Sequence, residues 1–258
     1  MNSLLFEIRG SVAIITHNRP EAFNAYNIEM GNEMLNALAV CKEDDAIRAV
    51  LLTATGKSFC AGQDLKEIVD PTGPSLETVL QDRYNPIVLA IRNLDKPVIC
   101  AVNGVAAGAG ANLALACDIT FAASSASFIQ AFSKIGLVPD SGGTFNLPRL
   151  VGAQRAVAWM MSGEKISAAE AQACGMIYKV IADEELAEFA INYASQMAEM
   201  PTKALALTKK LLNASFQNTL EEQLDLESKY QIDASKTADY QEGVQAFIEK
   251  RKAIFQGK

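Results

Sequence analysis

Asp140 lies in Ile135-Gly136-Leu137-Val138-Pro139-Asp140-Ser141-Gly142-Gly143-Thr144, an apolar run closed by two glycines. Apolar surroundings disfavour the charged form of a carboxylate and move its pKa toward the range where a proton is both taken and returned. Asp140 is therefore the leading candidate for acid–base chemistry. The same residues also describe a turn in which Asp140 or Ser141 caps a helix over 144–150. The segment by itself fits both readings equally.

Two further stretches combine a strand end with small residues: Val102-Asn103-Gly104-Val105-Ala106-Ala107-Gly108-Ala109-Gly110 and Ser58-Phe59-Cys60-Ala61-Gly62-Gln63-Asp64-Leu65-Lys66. Glycine and alanine let another group approach the backbone, and a helix starting near Gly108 would present unpaired N–H donors at its positive end. Such an end suits an oxyanion as well as a phosphate, and close helix packing would need the same small residues. A dinucleotide fingerprint fails on context. The motif is not on the first strand, Asp118 follows too soon to reach a ribose, and no Tyr is followed four residues later by Lys.

The chain has 258 residues and one histidine, His17. This excludes zinc sites built on several imidazoles, and any Ser-His-Asp triad or Cys-His dyad that does not use His17. No metal or redox cofactor is implied. Cys41, Cys60, Cys100, Cys117 and Cys174 form no C-x-x-C pair, which predicts reduced core thiols in a cytoplasmic protein. A net charge of −7 and a pI near 4.9 give no footprint for nucleic acid, so an anionic ligand must be met by local positive groups or amides. No apolar window reaches membrane-span length, and the amino terminus lacks the basic region of a signal peptide.

Periodicity supplies the elements that would position these groups. Apolar runs on either side of Arg9-Gly10-Ser11 predict a hairpin, and Met30, Met34, Leu38 and Cys41 repeat at helical spacing behind a capping Asn27. Strands are expected at 50–53, 97–102 and 119–122, with helices at 76–91 and 108–116. Past Asp183 only helical periods remain, through Pro201 and into a charged tail. The fold class is α/β with a helical carboxyl-terminal region.

The two small-residue turns resemble the F-C-A-G-x-D-L and N-G-x-A-x-G-G-G segments of the enoyl-CoA hydratase/isomerase (crotonase) superfamily. So do Asn18-Arg19-Pro20-Glu21-Ala22-Phe23-Asn24-Ala25, Ala168-Ala169-Glu170-Ala171, Gly175-Met176-Ile177 and the stretch from Gln241 to Arg251. The resemblance implies a spiral of ββα turns over residues 1–200 and a helical trimerisation region over 201–258, giving a homotrimer or dimer of trimers. It also implies an acyl-CoA thioester as ligand. The oxyanion donors would be the backbone amides of Gln63 and Ala109. Coenzyme A would lie along Ala22, Phe23, Ala61, Asp64 and Leu65, with Phe247 and Lys250 at its nucleotide end.

Departures from the pattern bear on the reaction. Where hydratases of the family carry two glutamates, this chain has Asn112 and Phe132, neither of which can act as a base. Asp140 falls where dienoyl-CoA isomerases and 1,2-epoxyphenylacetyl-CoA isomerases place their acting Asp, and the surrounding run looks most like the latter, which serve phenylacetate breakdown. The related dehalogenases add a His and a Trp, but His17 and Trp159 lie in the wrong segments. The resemblance thus implies an acyl-CoA isomerase using Asp140. The alternatives are a Δ3,Δ2-enoyl-CoA isomerase or hydratase of fatty-acid degradation, and a non-catalytic acyl-CoA-binding homologue.

Overall fold

A computed structural model describes residues 2–258. Gly10 and Ser11 join β1 (Leu4–Arg9) to β2 (Val12–His17) in the expected hairpin, with Gly10 at φ +58°. α1 (Ile28–Glu43) opens where the Asn27 side chain accepts a bond from the Met30 amide. Then come β3 (Ala49–Ala54), β4 (Ser58–Cys60), α2 (Leu65–Val69), α3 (Leu76–Val79), α4 (Asn85–Asn93), β5 (Val98–Val102), β6 (Val105–Ala107) and α5 (Ala109–Ala116). β7 (Ile119–Ala123), β8 (Ser127–Ile129), α6 (Gly143–Val151), α7 (Ala153–Ser162), β9 (Lys165–Ser167), α8 (Ala168–Ala173) and β10 (Lys179–Ile181) follow. The chain ends in α9 (Leu186–Glu199), α10 (Thr202–Ala214), α11 (Leu220–Ser235) and α12 (Ala238–Glu249).

Three successive strand pairs divide between two sheets. β3, β5 and β7 enter a six-stranded sheet ordered β1-β2-β3-β5-β7-β10, whereas β4, β6 and β8 enter a four-stranded sheet ordered β4-β6-β8-β9. Each pair is followed by helical chain, so the repeating unit is the ββα turn of a spiral, as the resemblance implied. β5 is buried along its whole length, which explains its unbroken apolar run without alternation. α9 covers β3, β5 and β7, where Phe189 and Tyr193 meet Phe121 edge-on at 5.0 and 4.9 Å between ring centroids.

The single helix expected over 76–91 is instead broken into α3, a π-helical turn at Leu80–Tyr84, and α4. Pro86 has no N–H to offer the Asp82 carbonyl, and the Asn85 amide reaches Leu80 five residues back, which shifts the helix phase. Gly31 of α1 makes room for this turn, since a Cβ there would lie 2.5 Å from Cγ of Arg83.

Beyond Pro201 the helices dock on the body through buried polar contacts. Lys209 Nζ donates to the Ile91 carbonyl and to Asp118, each at 2.8 Å, and Arg48 bonds Thr202 and the Phe255 carbonyl. Asp239 is buried and accepts the Gln256 and Gly257 amides of the returning tail. α11 has no buried residue and exposes Leu220, Leu224 and Ile232. Among the described residues no helix is long and apolar enough to cross a membrane.

Candidate active site

The small sheet brings the predicted donors together. β4, β6 and β8 run parallel, with Ser58 opposite Val105, Cys60 opposite Ala106 across a register shift, and Ala107 opposite Ile129, so the loops that follow them leave from one edge. Gly62 stands at φ +92°, and a Cβ there would sit 3.1 Å from the Ala107 oxygen and 3.5 Å from the Ala109 nitrogen. The Gln63 and Ala109 loops can touch because residue 62 carries no side chain.

Gln63 forms a parallel bridge with Tyr26, in which the Tyr26 amide donates to Gly62 O at 2.7 Å and Tyr26 O accepts from the Asp64 amide at 2.9 Å. In that pattern the intervening Gln63 turns its own N–H away from Tyr26. Ala109 is the first residue of α5, so its amide has no acceptor inside the helix. Among the described residues neither N–H has a backbone acceptor. Two free donors on adjoining loops suit one oxygen that gains charge during reaction.

Asp140 lies on the loop before α6, which Asn112 ties to α5, the helix that begins at Ala109. Its carbonyl accepts from Asn112 Nδ2 at 2.9 Å and from the Gly143 amide at 2.8 Å. Its carboxylate accepts from the Ser141 hydroxyl at 2.9 Å. Burial pushes the Asp140 carboxyl above its ordinary value, and the Ser141 hydroxyl only partly opposes this. The capping alternative is not what the structure shows. α6 is preceded by Gly142 at φ +73°, and neither Asp140 nor Ser141 caps it with a side chain.

Asn112 and Phe132 have separate tasks. Asn112 is fully buried, accepts from Gln130 Nε2 at 2.8 Å through Oδ1, and lies so close to Gly143 that a Cβ there would be 2.3 Å from Nδ2. It is a strut beneath the Asp140 loop. Phe132 belongs to a 3-10 turn at Ala131–Ile135, and its ring edge lies 3.7 Å from the place a Cβ on Gly108 would take, forming an apolar wall beside Ala109.

The proposed coenzyme A residues fall into two groups. The Phe23 carbonyl accepts from the Ala61 amide at 3.1 Å, which sets Ala22 and Phe23 beside Ala61, and Phe23 and Leu65 are exposed. The Asp64 carboxylate is held by Arg19 at 2.9 Å and by the Lys66 amide at 3.1 Å, so it braces the loop. Phe247 and Lys250 lie at the end of α12. Phe247 lines a surface cavity with Pro201, Ile232, Val244 and Phe255, and neither Gln63, Ala109 nor Asp140 contributes to that lining.

His17 is a core residue. Its Nδ1 faces the Phe59 carbonyl at 3.1 Å, and Nε2 lies 2.8 Å from the Tyr26 hydroxyl. A carbonyl can only accept, so Nδ1 carries the proton and Nε2 accepts from Tyr26. Burial pulls the imidazole pKa down to about 4, and it stays neutral. Burial also pushes the Cys41 and Cys60 thiols up to about 12, away from reactivity.

Sequence reasoning missed two neighbours of the site. Arg83 pairs with Glu67 at 2.8 Å and reaches the Gln63 side chain at 3.2 Å, while Tyr84 is fully buried beside Tyr26. Both occupy the π-helical turn, whose phase shift a regular helical period does not reveal.

The family described as enoyl-CoA hydratase/isomerase matches residues 7–258. The chain is 49% identical over 261 aligned positions to 1,2-epoxyphenylacetyl-CoA isomerase of Escherichia coli (strain K12), covering 100% of both proteins. It is 44% identical to a Rhodobacter capsulatus protein named "Probable enoyl-CoA hydratase", covering 100% of this chain and 99% of that one. A crystal structure of an enoyl-CoA hydratase from Bacillus anthracis superposes with a TM-score of 0.92 at 34% identity, covering 99% of this chain and 100% of the other.

Proposed function

The chain belongs to the enoyl-CoA hydratase/isomerase family, and from that premise we propose that it isomerises an acyl-CoA, with 1,2-epoxyphenylacetyl-CoA or a related enoyl-CoA as substrate. The thioester oxygen sits between the Gln63 and Ala109 amides. Charge developing on it is then met by preorganised donors, which makes the neighbouring carbon acidic. Asp140 takes a proton from one position of the acyl group and returns it at another, or assists opening and rearrangement of an epoxide. A carboxyl whose pKa is raised by burial is suited to both directions of transfer.

The observation that carries this reading is the Asp140 carboxylate. Asp140 is present with a raised pKa, whereas the positions of the hydratase glutamates hold a buried Asn112 strut and the Phe132 wall. Neither can activate water, so rearrangement is favoured over hydration. The same proton transfer would serve a Δ3,Δ2-enoyl-CoA isomerase on an alkyl substrate. Coenzyme A enters as part of the substrate, and this chemistry requires no metal or redox cofactor.

Assembly as a trimer or dimer of trimers is supported by α11, whose Leu220, Leu224 and Ile232 have no cover within one chain. Sedimentation should give a trimer or hexamer, and a monomer at micromolar concentration would oppose it. A cytoplasmic location is supported by five unpaired cysteines. The reaction is tested by offering purified protein epoxyphenylacetyl-CoA, a 3-enoyl-CoA and a 2-enoyl-CoA. Rearrangement of the first or isomerisation of the second is expected, and hydration of the third as the main activity would refute the reading.

A further inference from the structure

Tyr84 is fully buried, and its hydroxyl oxygen has no hydrogen-bond partner in the protein. A buried hydroxyl without a partner is costly, and a phenylalanine would fill the same space without that cost. The neighbouring Tyr26 hydroxyl, by contrast, is committed to His17.

The surroundings of Tyr84 connect it to both halves of the site. Its ring packs on Tyr26 at 5.9 Å between centroids, and Tyr26 is the residue whose backbone brackets Gly62, Gln63 and Asp64. One helical turn onward, Val88 Cγ1 lies 3.6 Å from the place a Cβ on Gly142 would take, in the loop that carries Asp140. Residues four apart share a helix face, so the face bearing Tyr84 and Val88 runs from the oxyanion loop to the Asp140 loop. The preceding residue, Arg83, reaches the Gln63 side chain.

From this placement we infer that the Tyr84 hydroxyl donates a hydrogen bond to an oxygen carried by the acyl group. The site thereby selects oxygenated acyl thioesters over the corresponding hydrocarbons. The inference rests on the reading that an acyl thioester binds between Gln63, Ala109 and Asp140. Burial, followed by the charges of Cys60 and Asp140, holds the phenol well above its ordinary pKa, so it keeps its proton and serves as a donor. Buried polar groups of this kind discriminate strongly, because a ligand lacking the matching atom leaves them unpaired.

The test uses two ligands that differ by one oxygen, phenylacetyl-CoA and 2-hydroxyphenylacetyl-CoA, titrated calorimetrically into the wild-type protein and Tyr84→Phe. The wild type should bind the hydroxylated thioester about tenfold tighter, and the variant should lose that preference by weakening for the hydroxylated ligand alone. Thermal unfolding of the free variant should be unchanged or raised. A lowered Tm would place a partner on the hydroxyl in the free protein and contradict the inference. Equal affinities in the wild type, or a preference that survives in Tyr84→Phe, would overturn it. Neither measurement needs turnover. Failure of isomerisation with the preference intact would refute the proposed reaction alone, and turnover without the preference would refute this inference alone.

Discussion

Asn112→Ala separates a strut from a bystander. The wild-type side chain makes two bonds in a fully buried setting, to the Asp140 carbonyl at 2.9 Å and from Gln130 Nε2 at 2.8 Å. The losses are unequal. Asp140 O keeps the Gly143 amide at 2.8 Å, but Gln130 Oε1 is already unpaired and the variant would strand its Nε2 as well. One stranded buried donor costs about 1–3 kcal/mol and one lost neutral bond about 1 kcal/mol, so unfolding in urea should show about 2–4 kcal/mol of destabilisation. The Asp140 loop would also lose its side-chain bond to α5, keeping only the Gly143 bond within its own turn. A displacement of about 1 Å at a reacting group can cost about 10²-fold, so kcat should fall by about 10- to 100-fold with KM little changed. A destabilised variant with wild-type kcat would show that Asn112 supports the fold without positioning Asp140, and unchanged stability would contradict the hydrogen-bond reasoning itself.

His17 predicts a pH dependence of stability. Its folded pKa is about 4 and its unfolded value 6.5, so the neutral form's contribution is complete above pH 6.5 and is lost as pH falls through 4. The limit of that loss is about 3 kcal/mol, and unfolding free energies from urea titrations between pH 7 and 4 should decline less in His17→Gln by that amount; parallel declines would contradict the assignment. On the proposal that Lys250 meets the nucleotide phosphates of coenzyme A, Lys250→Glu should raise the apparent KM for an acyl-CoA more than it lowers kcat. Steady-state constants that both stay unchanged would make Lys250 an ordinary solvated helix charge.

The parts legible in the sequence were those governed by local rules. The unbroken apolar run of β5, the Gly10 turn and the Asn27 cap each follow from short-range chemistry, and the structure realises all three. The free amides at Gln63 and Ala109 were suggested by small residues and family motifs. Their convergence, however, depends on the parallel register of β4 and β6, which no single segment encodes. Asp140 could not be resolved from its own segment because a capping turn and a catalytic loop share the same residues. The bare Gly142 cap excludes the capping turn, and the bond from Asn112, 28 positions earlier, ties the Asp140 loop to α5. Arg83 and Tyr84 were hidden because Pro86 replaces a regular helix with a π-helical turn and so changes which residues face inward.

The central claim is that Asp140 exchanges the proton. Asn retains the acceptor for the Ser141 hydroxyl but cannot exchange a proton at neutral pH, and no helix cap is lost, so Asp140→Asn should fold with near wild-type stability. Steady-state kinetics on the preferred thioester, with binding measured separately, should show kcat lowered by about 10²–10⁴-fold with affinity retained. In the wild type, kcat should fall toward acid through a carboxyl pKa above its ordinary value, and residual activity in the variant should lack that limb. A folded Asp140→Asn protein with comparable kcat and the same acid limb would contradict the account.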